Sequence, residues 1–446
     1  MTAATSTPIP QHRYRPGSAR AALSYPAFRT MFIGSFASNV GTWMQNVVLP
    51  AYVYQRTGKA SIVALLVFAQ LGPLLLLAIP GGVIADRFDR RKWLIAMQTV
   101  QLVFSAALAP LASHNSAIWA LFVVQLGVGV GNALNAPAWS AALPTLVHRQ
   151  DLSGAISLNS TMINGSRVVG PIIVAGLSVV GVTTAQVFLI NAATYLFVIA
   201  ALASVHFNSP RVVHHETGRR LLTSGVRLVR ENPVSLRILL ALASFSLISL
   251  PYVGLFPAIA RLNFGIIERS TAYNWLYATW GLGACLGGLA VGTVFVDWDK
   301  RRLIRDGFGL FAISMTAFAL AREPIGAFIA GFVLGIAYFG TTTSMLTVLQ
   351  SRLHDHERGR VMSLWFMAFG GTVTIGLLIA GPIVDAIGAR WVSLGGAVWA
   401  AVLWWWCDVA KIDRSTGGVT GYQERNELFE PGNAAPFDEY GVVAGE

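Results

Sequence analysis

Apolar runs of about 20 residues, the length that crosses bilayer hydrocarbon as a helix, fill the chain from position 28 to position 410. Short charged or Pro/Gly-rich breaks separate them, so each run reads as one membrane span. Taken in order they predict twelve transmembrane helices, over 28–54, 61–85, 92–112, 117–145, 152–181, 184–206, 236–260, 271–296, 303–321, 325–349, 359–386 and 391–410. The longest internal break, 207–235, carries Arg211, Arg219, Arg220, Arg227 and Arg230 and divides six helices from six. The expected fold is an all-α membrane protein of two six-helix, pseudo-symmetric halves. The segments are then a cytoplasmic N-terminal stretch 1–24, a first half 25–206, a central cytoplasmic loop 207–235, a second half 236–411 and a tail 412–446. That tail holds Glu424, Glu427, Glu430, Asp438 and Glu439 and is expected to be solvated and disordered.

Composition agrees with this pattern. The chain is 54% hydrophobic and 12% charged, against roughly 25% charged residues in a soluble domain. Its net charge of +11 does not indicate nucleic acid, because the arginines cluster between apolar runs instead of interleaving with aromatics on a soluble surface. The charge reports topology. Six basic residues (Arg56, Lys59, Arg261, Arg269, Arg322, Arg390) fall in odd-numbered loops, Arg167 falls inside a helix, and the rest of the 32 lie in the termini and even-numbered loops. The positive-inside rule therefore places both termini in the cytoplasm, with the chain in the cytoplasmic membrane of the cell and the lipid bilayer as its solvent. No small-residue cleavage pattern follows the first apolar run, so the first helix is expected to stay. Cys285 and Cys407, each inside a predicted helix, read as packing thiols. There is no nucleotide-binding loop, zinc-ligand spacing or nucleophile–base constellation, so no enzyme, cofactor or metal is expected.

The stretch from Gly81 to Lys92 reads GGVIADRFDRRK, a membrane helix stopping at a basic surface with glycines for a tight turn. It has a partial echo. Asp86 recurs as Asp297, and Gly170-Pro171 as Gly381-Pro382, both at an offset of 211 residues, which indicates an internal repeat. The second copy, Asp297 to Arg302, keeps the acid-then-basic order but lacks the glycine matching Gly82. Glycine-rich stretches at Gly127, Gly129 and Gly131, and at Gly281, Gly283, Gly287 and Gly288, are expected to let helices approach closely.

Polar residues inside the helices are few and patterned. Ser35, Asn39, Thr42 and Asn46 are spaced i, i+4, i+7, i+11 and share one face of the first helix. That face should meet water or protein, not lipid. Ser160, Asn164 and Arg167 repeat the pattern in helix five, and helix four offers Gln125, Asn132 and Asn135. These amides either line a cavity or hydrogen-bond neighbouring helices. Arg167 is the exception in cost, since an arginine at the bilayer centre costs roughly 2.5 to 3.5 kcal/mol on insertion scales. It should face protein or a wet cavity. Asn164, Asn132 and Asn135 are its candidate partners, and a helix-bracing role stands beside one in handling substrate or protons.

The spacing of Gly82, Asp86, Arg87, Arg90, Arg91 and Lys92 resembles the loop between helices two and three of the major facilitator superfamily. Asp89 departs from that family's usual glycine; aspartate tolerates a left-handed turn, so the loop geometry is expected to survive. Arg358, Gly359, Arg360, Val361, Met362 and Ser363 look like the opening of helix eleven in the drug:H+ antiporter-3 branch. That branch includes enterobactin exporter-like and macrolide or tetracycline efflux proteins. Gly170-Pro171 resembles part of the antiporter motif of helix five. The resemblance, over about residues 25 to 410, implies the major facilitator fold, with helices one, four, seven and ten around a central cavity. It implies that Tyr252 and Phe256, with Tyr338 and Thr342, form the wall opposite the amides. It also implies a gate in which Asp86 pairs with the start of helix eleven near Arg358 and Arg360, and coupling to protons. No carboxylate lies mid-helix, so Asp86, Asp385 or the substrate itself would carry the proton. The expected function is alternating-access export of small amphipathic molecules by a monomer. A siderophore or lipid exporter is the second reading, and a non-transporting membrane sensor or assembly factor the third.

Overall fold

A computed structural model describes residues 14–85, 88–205, 218–353 and 355–415 of the chain. Every regular element among them is helical, and the membrane helices follow in the predicted order. They are α1 Pro26–Thr57, α2 Ala60–Ala85, α3 Arg90–Ser113, α4 Ile118–Ala142, α5 Leu152–Val179 and α6 Thr184–Ser204, then α7 in three pieces, Pro233–Ile248, Leu250–Val253 and Phe256–Phe264. There follow α8 Thr271–Gly292, α9 Lys300–Leu320, α10 Pro324–Ser351, α11 and α12 Ala389–Trp406; α11 runs Asp355–Phe366, a π-helical turn Met367–Gly371, then Thr372–Ile387. Among the described residues nine helices are long and apolar enough on their own to cross a membrane, or ten counting one bent pair. The remaining three are α1, α7 and α8; α1 is diluted by its polar face and α7 is broken. The α7 break falls at Pro251 and Pro257, each of which lacks an N–H and crowds the preceding turn.

Local chemistry sets the ends. Asp89 caps α3 by accepting from Lys92 N at 2.9 Å, and Asp299 caps α9 from Arg301 N at 2.9 Å. Asp89 does not hold the left-handed turn expected of it: its φ of −59° and ψ of 117° are those of a helix N-cap, which needs no glycine. After α1 the chain does turn left-handed, at Gly58 with φ 63°.

The stretch 207–235 was expected to be a loop, but residues Gly218–Glu231 form a helix that meets α7 at a bend of 113°. Gly225 and Val229 are buried while Arg227, Arg230 and Glu231 are exposed, so one apolar stripe lies on protein and the charges face out. Too short and too basic to span a bilayer, it escapes a search for membrane-length runs.

Helices α1–α6 pack among themselves, as do α7–α12, and the two sets meet along α2 with α11 and α5 with α8. Backbones come close between α8 and α10, where a Cβ on Gly283 would lie 2.0 Å from Phe332 O, and between α11 and α7, where one on Gly376 would lie 2.0 Å from Leu247 O.

Candidate transport site

The polar face of α1 is spent largely inside the first half. Asn39 donates to Ser35 O at 2.8 Å, Thr42 donates to Ser38 O at 3.0 Å and lies 3.2 Å from the Tyr195 hydroxyl, and Asn46 accepts from Gln70 of α2 at 2.8 Å. Beside this face runs a buried amide chain that the i, i+4 pattern did not single out. Gln45 donates to Gln125 at 3.2 Å and accepts from Asn191 of α6 at 2.7 Å, and Asn191 reaches Ser105 of α3 at 3.5 Å. Gln125 is thus held in a network joining α1, α3, α4 and α6. Such interhelical bonds contribute about 0.6 kcal/mol each on average. Only the run of Gln45, Ser105 and Asn191 at apolar depth could have signalled them. Further along α4, Asn132 is exposed and Asn135 accepts from Gln98 of α3 at 3.3 Å.

Arg167 lies where the halves meet. Its guanidinium carbon is 5.1 Å from the Trp43 ring centroid on α1 and 4.8 Å from that of Phe339 on α10. The Tyr277 and Tyr338 phenols are within its electrostatic reach, and a Cβ on Gly281 of α8 would lie 3.0 Å from Arg167 O. Among the described residues no hydrogen bond joins it to Asn164, Asn132 or Asn135, and its Nε is buried without a partner. The expected amide partners are replaced by aromatic faces. Arg167 is half-buried, and two cation–π contacts at about 0.5 to 2 kcal/mol each offset part of the cost of a charge at this depth. The unpaired Nε adds an unmet penalty of about 1 to 3 kcal/mol.

Across the interface, Tyr338 is buried and stacks near Trp280 and Phe369, with centroids 6.2 and 6.4 Å away. Thr342, one turn on, donates to Tyr338 O at 3.0 Å. Tyr252 and Phe256 lie a layer deeper in the second half: Trp280 Nε1 donates to the Tyr252 hydroxyl at 3.0 Å, and Phe256 meets Tyr277 edge-on at 4.9 Å. Gly170 packs on α1, where a Cβ would come 2.7 Å from Trp43 Cβ, and Pro171 is buried beside it.

At the end of the bundle that carries the termini, Gly82 lies in the last turns of α2; Asp86 and Arg87, and the side chain of Arg358, lie outside the described residues. Arg90 donates to Ala141 O at 3.2 Å and Arg91 to Leu202 O at 2.7 Å, so both cations sit on carbonyl ends of neighbouring helices, α4 and α6, where the helix dipole favours them. Arg360, half-buried on the first piece of α11, has its carbonyl 3.1 Å from where a Cβ on Gly225 would be, bringing that piece against the helix Gly218–Glu231.

At the opposite end the halves are tied directly. Asp385 of α11 accepts from Ala60 N at 2.6 Å and Ser61 N at 3.0 Å at the start of α2. Arg269 donates to Gln55 at 2.7 Å, and the Ser178 and Thr271 hydroxyls are 3.1 Å apart. A Cβ on Gly381 would lie 2.8 Å from Ala64 Cβ, so α11 lies close on α2 here.

The described helices form two packed halves, and residues 17–416 match the family described as transmembrane secretion effector. The chain belongs to this family, a branch of the major facilitator superfamily. Its members are membrane transporters and not enzymes, and the chain is a multi-pass membrane protein. It is 24% identical over 387 residues to macrolide efflux protein A of Streptococcus pyogenes, covering 83% of this chain and 93% of that one. It is 27% identical over 351 residues to the enterobactin exporter EntS of Escherichia coli, covering 77% and 81%. A solved structure of a variant of the peptide transporter POT superposes with a TM-score of 0.68 at 14% identity, covering 89% of this chain and 98% of that one, and shares its fold.

Proposed function

We propose that the chain exports small amphipathic, drug-like molecules across the cytoplasmic membrane by alternating access, as a monomer with both termini in the cytoplasm. Residues 25–206 and 236–411 are the two rocking bodies, with 207–235 the connection between them. The observation that carries this reading is the position of the cross-half ties Asp385–Ala60, Arg269–Gln55 and Ser178–Thr271 at one end of the bundle. These three ties are polar, so a modest free energy breaks each of them, as a two-state carrier requires. Arg167 stands between the halves, with Tyr338 and Thr342 opposite and Asn39, Thr42, Asn46, Asn132, Asn135 and Asn164 on the first half's side. The relatives' efflux of a macrolide and export of enterobactin support an outward direction. Coupling to protons is part of the proposal, with Asp86, Asp385 or the substrate itself as the carrier.

The unpartnered Nε of Arg167 favours a second reading within the same class, an anionic or catecholate siderophore as cargo. Cells with and without the protein, loaded with a panel of macrolides, other drugs, catecholates and lipids, decide between the two. Lower accumulation that a protonophore abolishes is the expected result. No difference for any compound at confirmed membrane expression would remove the exporter reading.

A further inference from the structure

A second site lies away from the interface between the halves, at the end of the bundle that carries the termini. There α12 stops at Trp406, the chain turns at Cys407, and a short helix Val409–Ser415 leads away. The turn leaves a cavity of about 620 Å³ bordered by Arg237 of α7, Arg305 of α9, Asp408, Lys411 and the run Trp404 to Trp406. Arg305 is already engaged, 3.3 Å from Asp408 and 3.6 Å from Asp306. Arg237 is held differently: its guanidinium carbon lies 3.9 Å over the Trp406 ring and Nη1 donates to Trp406 O at 3.1 Å. Among the described residues no carboxylate is within ion-pair distance of Arg237 or Lys411. A guanidinium has five N–H donors, so Arg237, fixed by the ring and one carbonyl, keeps donors for a ligand.

The wall of the cavity has the opposite chemistry. Trp404 and Trp405 are 48% and 80% exposed on the last turn of a membrane helix. Tryptophan at a helix end marks headgroup depth, and basic side chains there reach the interface. A ligand that meets both features has an anionic head and apolar chains. A free anion would satisfy the cations and leave the exposed indoles against water. We infer that this cavity binds the phosphate of an anionic phospholipid on Arg237 and Lys411, with acyl chains along Trp404 and Trp405. Bound there, the lipid bridges α7, α9 and α12, all in one half, so it stays seated while the halves move. Basic pockets between membrane helices recognise anionic headgroups in this way.

Native mass spectrometry of the purified full chain tests it, with phosphatidylglycerol, phosphatidylcholine and glycerol phosphate as probes. Phosphatidylglycerol should be retained over phosphatidylcholine. Each cation near an anionic headgroup contributes about fivefold, so Arg237→Gln with Lys411→Gln should lower phosphatidylglycerol retention about twenty-five-fold. Arg237→Lys, which keeps the charge and loses the stacked plane, should fall between; with the wild-type lipid comparison it decides the matter even if the double variant does not fold. A chain ending at residue 415 should retain lipid as the full chain does. The proposal is overturned if the double variant holds phosphatidylglycerol as well as wild type does, or if phosphatidylcholine is held equally. Displacement by equimolar glycerol phosphate would make it a free-anion site. A large gain on removing 416–446 would give the cavity to the acidic tail.

Discussion

Asp385 accepts the Ala60 N–H at 2.6 Å, placing a carboxylate of one half on the first turn of α2 in the other. The orphan N–H groups of a helix start and its dipole both favour the negative charge. The bond is part-buried, with Ala60 buried and Asp385 exposed, so its contribution is on the order of 1 kcal/mol, about a fivefold population ratio. Asp385→Asn should therefore shift the molecule toward the state open at this end. Spin-label distances between the α1–α2 and α11–α12 turns should lengthen, and export should slow. Unchanged distances in the variant would show that the contact does not lock this end.

The opposite shift is expected from Asp86→Asn. The residue lies outside the described residues, so the expectation rests on its place after α2 and on the resemblance that pairs it with the start of α11. Losing a charge-assisted contact made in only one state moves the balance between states without unfolding the protein. Labels across the end that carries the termini should separate further, with the melting temperature nearly constant. A lower melting temperature with unchanged distances would make Asp86 a folding residue.

Arg167 separates charge from shape. Arg167→Gln retains hydrogen bonding and loses the cation that Trp43 and Phe339 sandwich, whereas Arg167→Lys retains charge and loses the planar fork. Glutamine should abolish export and lysine should keep part of it. Both should reach the membrane in similar amounts, because Arg167 is only half-buried and its cation–π contacts offset part of the cost of its charge. Wild-type export by the glutamine variant at matched expression would leave Arg167 as a packing residue.

The glycines of α8 can be told apart only in three dimensions. At Gly283 an added Cβ would meet Phe332 O at 2.0 Å, a backbone atom that cannot swing aside, while at Gly288 nothing comes nearer than 3.6 Å. Gly283→Ala should force α8 from α10 and cost about 1 to 3 kcal/mol, read as a lower melting temperature in detergent. Gly288→Ala should change it little. Equal melting temperatures for the two variants would refute the close approach.

This difference shows what was legible in the sequence and what was not. The order of the membrane helices could be read because bilayer thickness imposes a length on each apolar run, and Arg167 stood out because a charge at that depth is costly. Contacts between helices leave no such mark. Gly283 and Gly288 look alike in the chain, Gln45 looked no different from other apolar-face neighbours although it centres the amide network, and Tyr252 lies behind Tyr338 by a layer that periodicity cannot resolve. Asp385 was visible as a carboxylate near a helix end, but its partners are backbone N–H groups 325 and 324 positions away. The helix Gly218–Glu231 was hidden for a different reason, its length and charge being those of a surface helix rather than a span.

Asp151, fully buried before α5, fastens the start of the chain. Its two oxygens accept from Gly17 N and from the Tyr25 hydroxyl, each at 2.8 Å. Burial, and next the Asp151 hydrogen bond and charge, push the Tyr25 phenol up from 10.0 to about 12. A folded value above the unfolded one means the stabilisation is complete below pH 10 and is lost as pH rises through about 12, so the clasp should be constant from neutral pH to mildly alkaline conditions. Asp151→Asn replaces one acceptor by an amide NH₂ that opposes a donor, which costs about 1 to 3 kcal/mol at a buried site. Amide hydrogen exchange over residues 14–25 should then quicken about tenfold or more, with the spans unaffected. Tyr25→Phe should have a smaller effect, since the Gly17 bond remains. Exchange in Asp151→Asn equal to that of wild type would mean the segment is held by packing alone.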